Sequence, residues 1–229
     1  MERTLKLYTD PISPYSGVAT LALLEKKVPY EPIHVSLKTH ETKSAAHSER
    51  HPFGKIPVLE TVDEQGGKML LRESQAIARY IAEKYRAQGV SLLPPLNASS
   101  EVIGRFEEAA CMERNYFTPN VWKYTSEKLI KEALGFGPPD PVELARYFKE
   151  IKKALTVLDK TLGTREYMAG PRYSLVDIYY APWMKALFND AGHKELLVEF
   201  PNVGDWWGKM CDRPQVQKVF ELMGSGTIV

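Results

Sequence analysis

Cysteine is all but missing: Cys111 and Cys211 are the two in 229 residues. They stand far apart and outside any metal-ligand spacing, which excludes a disulfide-stapled scaffold and favours a reducing compartment. An excess of one charge is missing as well. Thirty Lys and Arg face 29 Asp and Glu, a formal net charge of +1, which excludes the broad basic footprint of a general nucleic-acid binder. No apolar run approaches the ~20 residues that span a bilayer. The opening Met1-Glu-Arg-Thr-Leu5 has no apolar core of a secretory leader, so a cytoplasmic location is expected. No internal repeat or low-complexity tract is visible. What is present is an ordinary globular mixture, 44% hydrophobic and 26% charged, which excludes intrinsic disorder. The length suits one large domain or two small ones.

The two halves of the chain have different grammars. Up to about residue 86, short β-like runs alternate with helical ones. Thr4–Tyr8 alternates polar and apolar residues as a strand does. Ser13-Pro14 then opens a helix, with Ser as N-cap and Pro at a first position whose N–H would go unpaired anyway. Ala19, Leu21, Ala22, Leu23 and Leu24 give that helix its apolar face, and Lys26-Lys27 suits its C-terminus. Tyr30–Leu37 is a second expected strand, parallel to the first because the crossover is long and helical. A short helix is expected over Thr42–Arg50. Ile56–Glu60 and Lys68–Leu71 read as strands joined by a turn at Asp63–Gly67, and Glu73–Tyr85 reads as a helix. This β-α-β-α-β-β-α order resembles a thioredoxin-like domain, expected over residues 1–86. Ser91–Leu96, with two consecutive prolines, is the expected linker. From 97 to 229 an all-α domain is expected, with helices over 99–134, 141–162, 174–190 and 203–222.

Chemistry is concentrated in the first half. Thr9–Ser16 is the strand-to-helix loop where a redox member of a thioredoxin-like fold carries Cys-Pro-Tyr-Cys. Here the run is Ser13-Pro14-Tyr15-Ser16. Disulfide exchange needs a thiolate nucleophile, so both hydroxyls exclude that reaction at this loop. A serine there can instead donate its O–H to a thiol brought by a ligand while its oxygen accepts from the first helical turn. The positive end of the helix helps, and thiols in such places fall from ~8.5 towards ~7 or below in pKa. Taken alone, Ser13 reads more simply as a capping serine. Pro52–Pro57 and Arg72–Ile77 supply the context. Ile56-Pro57 reads as a cis bond presenting the Ile56 main chain to a peptide-like ligand, or as an ordinary strand-opening proline. Glu73-Ser74 opens a helix whose N-terminus suits a carboxylate, or is a plain cap beside a first-turn acid.

Together these segments resemble the glutathione-binding motifs of cytosolic glutathione transferases, most closely the serine-type phi class, and His34–Ile56 fits the phi pattern without a gap. The resemblance covers both domains. It implies Ser13 as the catalytic residue that stabilises the glutathione thiolate, with Lys43, Lys55, Ile56, Glu73 and Ser74 binding glutathione. Lys55 stands where glutamine is usual, and Thr42 replaces a histidine often found beside Lys43. Tyr173–Ile178, after Tyr167–Gly170, resembles the helix start of the C-terminal domain, with a capping box of Ser174 and Asp177. For the hydrophobic electrophile, Ile12, Tyr116 and Phe117 are the candidates in an apolar cleft between domains; the two aromatics read equally as core.

The implied activity is conjugation of glutathione to hydrophobic electrophiles, with peroxide reduction as a side activity. Glutathione is co-substrate, and no metal or bound cofactor is expected. A two-fold homodimer keyed by Pro52-Phe53 is expected, with no nucleic-acid or membrane partner. Two rivals stay open: a ligandin-like protein that binds glutathione or hydrophobic ligands without turnover, and a glutathione-dependent thiol reductase, which serine at position 13 opposes. His47 and His51 have i,i+4 spacing but no third ligand for zinc. Tyr8 is out of register to replace Ser13. Cys111 and Cys211 are expected to be buried and inert.

Overall fold

The computed structural model describes residues 5–224, and Thr4, expected to open the first strand, lies outside them, as does the end of the second domain. The chain parts into two compact units between Ser91 and Leu92. Leu92 and Leu93 are buried, and the Leu92 carbonyl accepts the Leu175 N–H at 2.8 Å. The start of the proline-rich stretch is therefore bound into the second unit.

In the first unit, β1 (Leu5–Thr9), β2 (Tyr30–His34), β3 (Val58–Val62) and β4 (Lys68–Arg72) form one sheet in the order β2-β1-β3-β4. β1 runs parallel to β2 and antiparallel to β3, which pairs antiparallel with β4. Leu5 and Leu7 of β1 and Val58 and Leu59 of β3 are buried. Helix α1 (Pro14–Glu25) has no polar stripe, and Val18, Ala19, Leu21, Ala22 and Leu23 are all buried. α2 (Ala45–Arg50) and α3 (Ser74–Lys84) complete the unit. The order is thioredoxin-like, as expected.

Three local boundaries differ from expectation, each for a physical reason. β2 stops at His34 rather than Leu37: Val35 N–H still reaches Thr9 O at 2.9 Å, but Leu37 N–H is captured by the Asp10 carboxylate at 2.9 Å. β3 starts at Val58, since Pro57 has no N–H for a ladder and the Ile56-Pro57 bond is cis. The helix expected from Thr42 is a 3₁₀ turn, Glu41–Lys43, followed by α2, whose N-cap Ser44 accepts the His47 N–H at 3.2 Å.

The second unit is helical, with α4 (Ser100–Met112), α5 (Thr118–Thr125), α6 (Pro141–Leu162), α7 (Leu175–Lys185), the short α8 (Leu196–Glu199), α9 (Pro201–Cys211) and α10 (Pro214–Met223). The single helix expected over 99–134 is interrupted by π-helical turns at Glu113–Phe117 and Ser126–Ile130. Pro119 has no N–H to close the α-helical ladder, and the turn ahead of it widens. The helix expected over 203–222 breaks before Pro214, because a residue preceding proline avoids the helical region; Arg213 is extended, with φ −78° and ψ 124°. The capping box is present at α7. Asp177 is fully buried and accepts from Met168 N at 3.0 Å, Ser174 N at 2.8 Å, Ser174 Oγ at 2.9 Å and Trp206 Nε1 at 3.0 Å. Burial pushes its carboxyl upward in pKa, against four hydrogen bonds that favour ionisation. Trp206 and Trp207 are buried, as core packing requires.

Candidate functional site

The loop from β1 to α1 turns on two hydrogen bonds. Ser13 N–H donates to Asp10 O at 3.0 Å, and Gly17 N–H donates to Ser13 O at 3.0 Å. Ser13 itself is extended, the conformation of an N-cap, and its Oγ accepts the Ser16 N–H at 3.4 Å. The hydroxyl oxygen is thus anchored to the first turn of α1, and its hydrogen finds no acceptor among the described residues. A serine so placed has one donor to give to a ligand, at the helix end where partial positive charge gathers. Ser16, where the redox motif has its second cysteine, is 1% exposed, and its Oγ has no hydrogen-bond partner among the described residues.

β3 begins two residues after Ile56, whose main chain therefore lies outside the strand ladders of the sheet, while the residue is buried. Glu73 is the N-cap of α3 with φ 67° and ψ 118°, a left-handed-side φ that a non-glycine residue rarely adopts. It makes no side-chain cap, and Ser74 stands at the positive end of α3, where partial charge suits an anion. Ser74 is buried at 8% exposure, while the Glu73 side chain is 75% exposed. Lys43 holds its ammonium against the carbonyls of Phe53 at 3.4 Å and Gly54 at 3.2 Å. Gly54, at φ 57°, allows this approach: a Cβ there would stand 2.7 Å from Thr42 O. Lys55 has an exposed side chain, and its carbonyl meets His47 Nε2 at 2.8 Å.

The other candidates separate. Tyr8 donates its hydroxyl to Glu60 at 3.0 Å and lies under the Arg50 guanidinium at 4.5 Å from the ring centre. Its O–H is therefore committed elsewhere. Ile12 is half-buried in the Ser13 loop. Within the second unit, Tyr116 is 64% exposed, whereas its neighbour Phe117 is wholly buried and packs on Tyr180 at 5.2 Å between ring centres. Phe117 is thus a core residue of its unit rather than an open lining. Cys111 and Cys211 are half-buried instead of buried, and burial still pushes the Cys211 thiol up to about 11. Among the described residues no group of three or more His, Cys, Asp or Glu side chains is placed to hold a metal, and no helix is long and apolar enough to cross a membrane.

Three more residues of this region take places that their sequence motifs do not reveal, His51 having been weighed only as a zinc ligand. Asp10 is 4% exposed and accepts the N–H groups of Ile12 at 3.2 Å and Leu37 at 2.9 Å. His51 is 2% exposed, with Nδ1 accepting the Phe53 N–H at 3.3 Å. Arg72 donates its Nε–H to Arg50 O at 2.5 Å. Only Asp10 carried a signal, as a short carboxylate in a strand-to-helix loop able to bond the main chain two residues on.

Comparison with known proteins shows the family. The family described as Glutathione S-transferase, N-terminal domain, matches residues 7–89, and Glutathione S-transferase, C-terminal domain, matches residues 124–214. The chain is 34% identical over 209 residues to Glutathione S-transferase hmp2 of Hypomyces subiculosus, covering 91% of this chain and 94% of that one. It is 32% identical to Glutathione S-transferase F11 of Arabidopsis thaliana, covering 88% and 90%. The crystal structure of glutathione transferase F7 from Populus trichocarpa superposes with a TM-score of 0.87 at 28% identity, covering 96% of this chain and all of that one. With both domains matched in order along its length, the chain belongs to the glutathione S-transferase family and is a transferase of the phi-class type.

Proposed function

We propose that Ser13 is the residue that holds the glutathione sulfur as a thiolate in this transferase, for conjugation to hydrophobic electrophiles. The observation that carries this reading is the state of its hydroxyl. The oxygen accepts from Ser16 N–H, which leaves O–H as the donor at the N-terminus of α1. Donation to sulfur favours the charged form of the thiol, and so does the helix end. The bound thiol releases its proton to solvent, the thiolate forms a bond to the electrophilic carbon, and the leaving group departs with the electron pair of its own bond. Ser13 is not modified.

The rest of the tripeptide would be met by charge and main chain. Glu73 is exposed and suits the ammonium of the glutamyl end, and Ser74 at the positive start of α3 suits its carboxylate. Ile56 offers its backbone, and Lys43 and Lys55 suit the glycyl carboxylate. Ile12 is the apolar group beside Ser13, and Tyr116 is the exposed aromatic in the second unit. Phe53, 74% exposed, fits a role as the apolar key of a two-fold homodimer. A cytoplasmic setting suits a chemistry that depends on a free thiol.

Ultraviolet titration of the thiolate in the glutathione complex, for the wild type and Ser13→Ala, tests the central claim. The bound thiol should ionise at least about one pH unit below free glutathione in the wild type, and lose most of that shift in the variant. Conjugation of a chlorodinitrobenzene substrate should fall in parallel. A bound thiol that titrates like the free one in the wild type would refute the role of Ser13.

A further inference from the structure

We infer that Asp10 is a positioning residue for conjugation, tying the Ser13 loop to the segment that carries Lys43. This rests on the roles given above to Ser13 and Lys43. Asp10 is the first residue after β1 and is 4% exposed. On one side it organises its own loop: Oδ1 accepts Ile12 N–H at 3.2 Å and its carbonyl accepts Ser13 N–H at 3.0 Å. On the other side Oδ2 accepts Leu37 N–H at 2.9 Å, and His34 Nε2 stands 3.7 Å away.

Leu37 begins a relay of turns that ends at Lys43. His40 N–H donates to Leu37 O at 3.3 Å, and Lys43 N–H donates to His40 O at 2.9 Å. Glu41 closes the same segment, its N–H on Ser36 O at 3.1 Å and its carboxylate on Ser36 N–H at 3.0 Å. A continuous hydrogen-bonded path therefore runs from Ser13 through Asp10 and Leu37 to Lys43. A carboxylate suits the junction because both of its oxygens must accept. An amide would set its NH₂ against one of the two N–H donors. Burying a carboxylate is costly unless its lone pairs are matched, and these two loops match them. The consequence is a fixed spacing between the hydroxyl that meets the sulfur and the cation that meets the glycyl end of the same ligand.

The test compares Asp10→Asn, Lys43→Ala and the double variant in steady-state conjugation with varied glutathione. Asp10→Asn should raise the glutathione KM about tenfold, the loss of one hydrogen bond to a charged group, with kcat at saturating glutathione little changed. In the Lys43→Ala background the same substitution should cost clearly less, because the path then leads to no cation. An unchanged KM in a folded Asp10→Asn protein, or fully additive effects, would overturn the inference. Amide hydrogen exchange of Leu37 in the wild type needs no variant. It should be slow in the free protein and slower with glutathione bound; exchange at the rate of an open loop in both states would also overturn it. Failure of the Ser13 reading shows separately, as an unshifted bound thiol in the wild type.

Discussion

The Nε2 of His51 stands 4.0 Å from Oε1 of Glu73, a buried imidazole facing the exposed carboxylate assigned to the ligand's ammonium. Because Nδ1 accepts the Phe53 N–H at 3.3 Å, the neutral ring carries its hydrogen on Nε2, directed towards Glu73. A second proton would have to enter at Nδ1 and break the bond to Phe53.

That arrangement fixes the sign of a pH effect. Burial holds the His51 pKa below its ordinary value; Glu73 opposes this, and Arg72, His47 and Lys55 add to it. The unfolded chain therefore binds the proton more readily than the folded one. Stability is complete above the unfolded value of about 6.5 and is lost as the pH falls from there through the folded value. Urea unfolding of the wild type, followed by circular dichroism between about pH 7.5 and pH 5.5, should show a falling midpoint on the acid side. His51→Asn, which keeps an acceptor for Phe53 N–H but cannot titrate, should flatten that fall. Equal slopes in the two proteins would move the effect to another group.

Glu73 allows binding and backbone strain to be separated. Its φ of 67° is one that glycine adopts freely and other residues do not. Glu73→Gly should be more stable than Glu73→Ala by about 1 kcal/mol. Both should raise the glutathione KM, with a smaller loss in kcat. Ser74→Ala should also act mainly on KM. If Glu73→Gly retains the wild-type KM, the carboxylate has no part in holding the ligand.

The features legible in the sequence are those closed within a few residues. Ser13 caps the helix that Pro14 opens, Asp63 binds the N–H groups of Gln65 and Gly67 at 3.0 and 2.7 Å in the hairpin turn, and Ser174 pairs with Asp177. What escaped depends on chain segments that meet only after folding. The bond between Asp10 and Leu37 spans 27 positions. His51 gains its meaning from a main-chain N–H and from the start of α3. Helical phase escaped for another reason. A π-helical turn adds a residue without completing an extra α-helical turn, so across Glu113–Phe117 spacing no longer tells which side a residue faces. Tyr116 emerges exposed and Phe117 buried. Pro214, by contrast, was a local signal for the break between α9 and α10, and the apolar period of the region masked it.

The stability of the second unit should hinge on Asp177 more than on the serine it pairs with. Removing Ser174 Oγ takes away the cap on Val176 N–H, a loss of about 1 kcal/mol. Removing the Asp177 carboxylate leaves Met168 N–H, Ser174 N–H and Trp206 Nε1–H buried without an acceptor, and each such group costs about 1–3 kcal/mol. Asp177→Ala should therefore destabilise by at least about 3 kcal/mol, and Asp177→Asn by less, since the amide oxygen still serves Met168 and Trp206. All four tryptophans, Trp122, Trp183, Trp206 and Trp207, lie in the second unit, so tryptophan fluorescence in urea reports on it selectively. The ranking expected is Asp177→Ala worst, then Asp177→Asn, then Ser174→Ala. An Asp177→Ala protein no weaker than Ser174→Ala would mean that the four hydrogen bonds at this carboxylate contribute little beyond the cap.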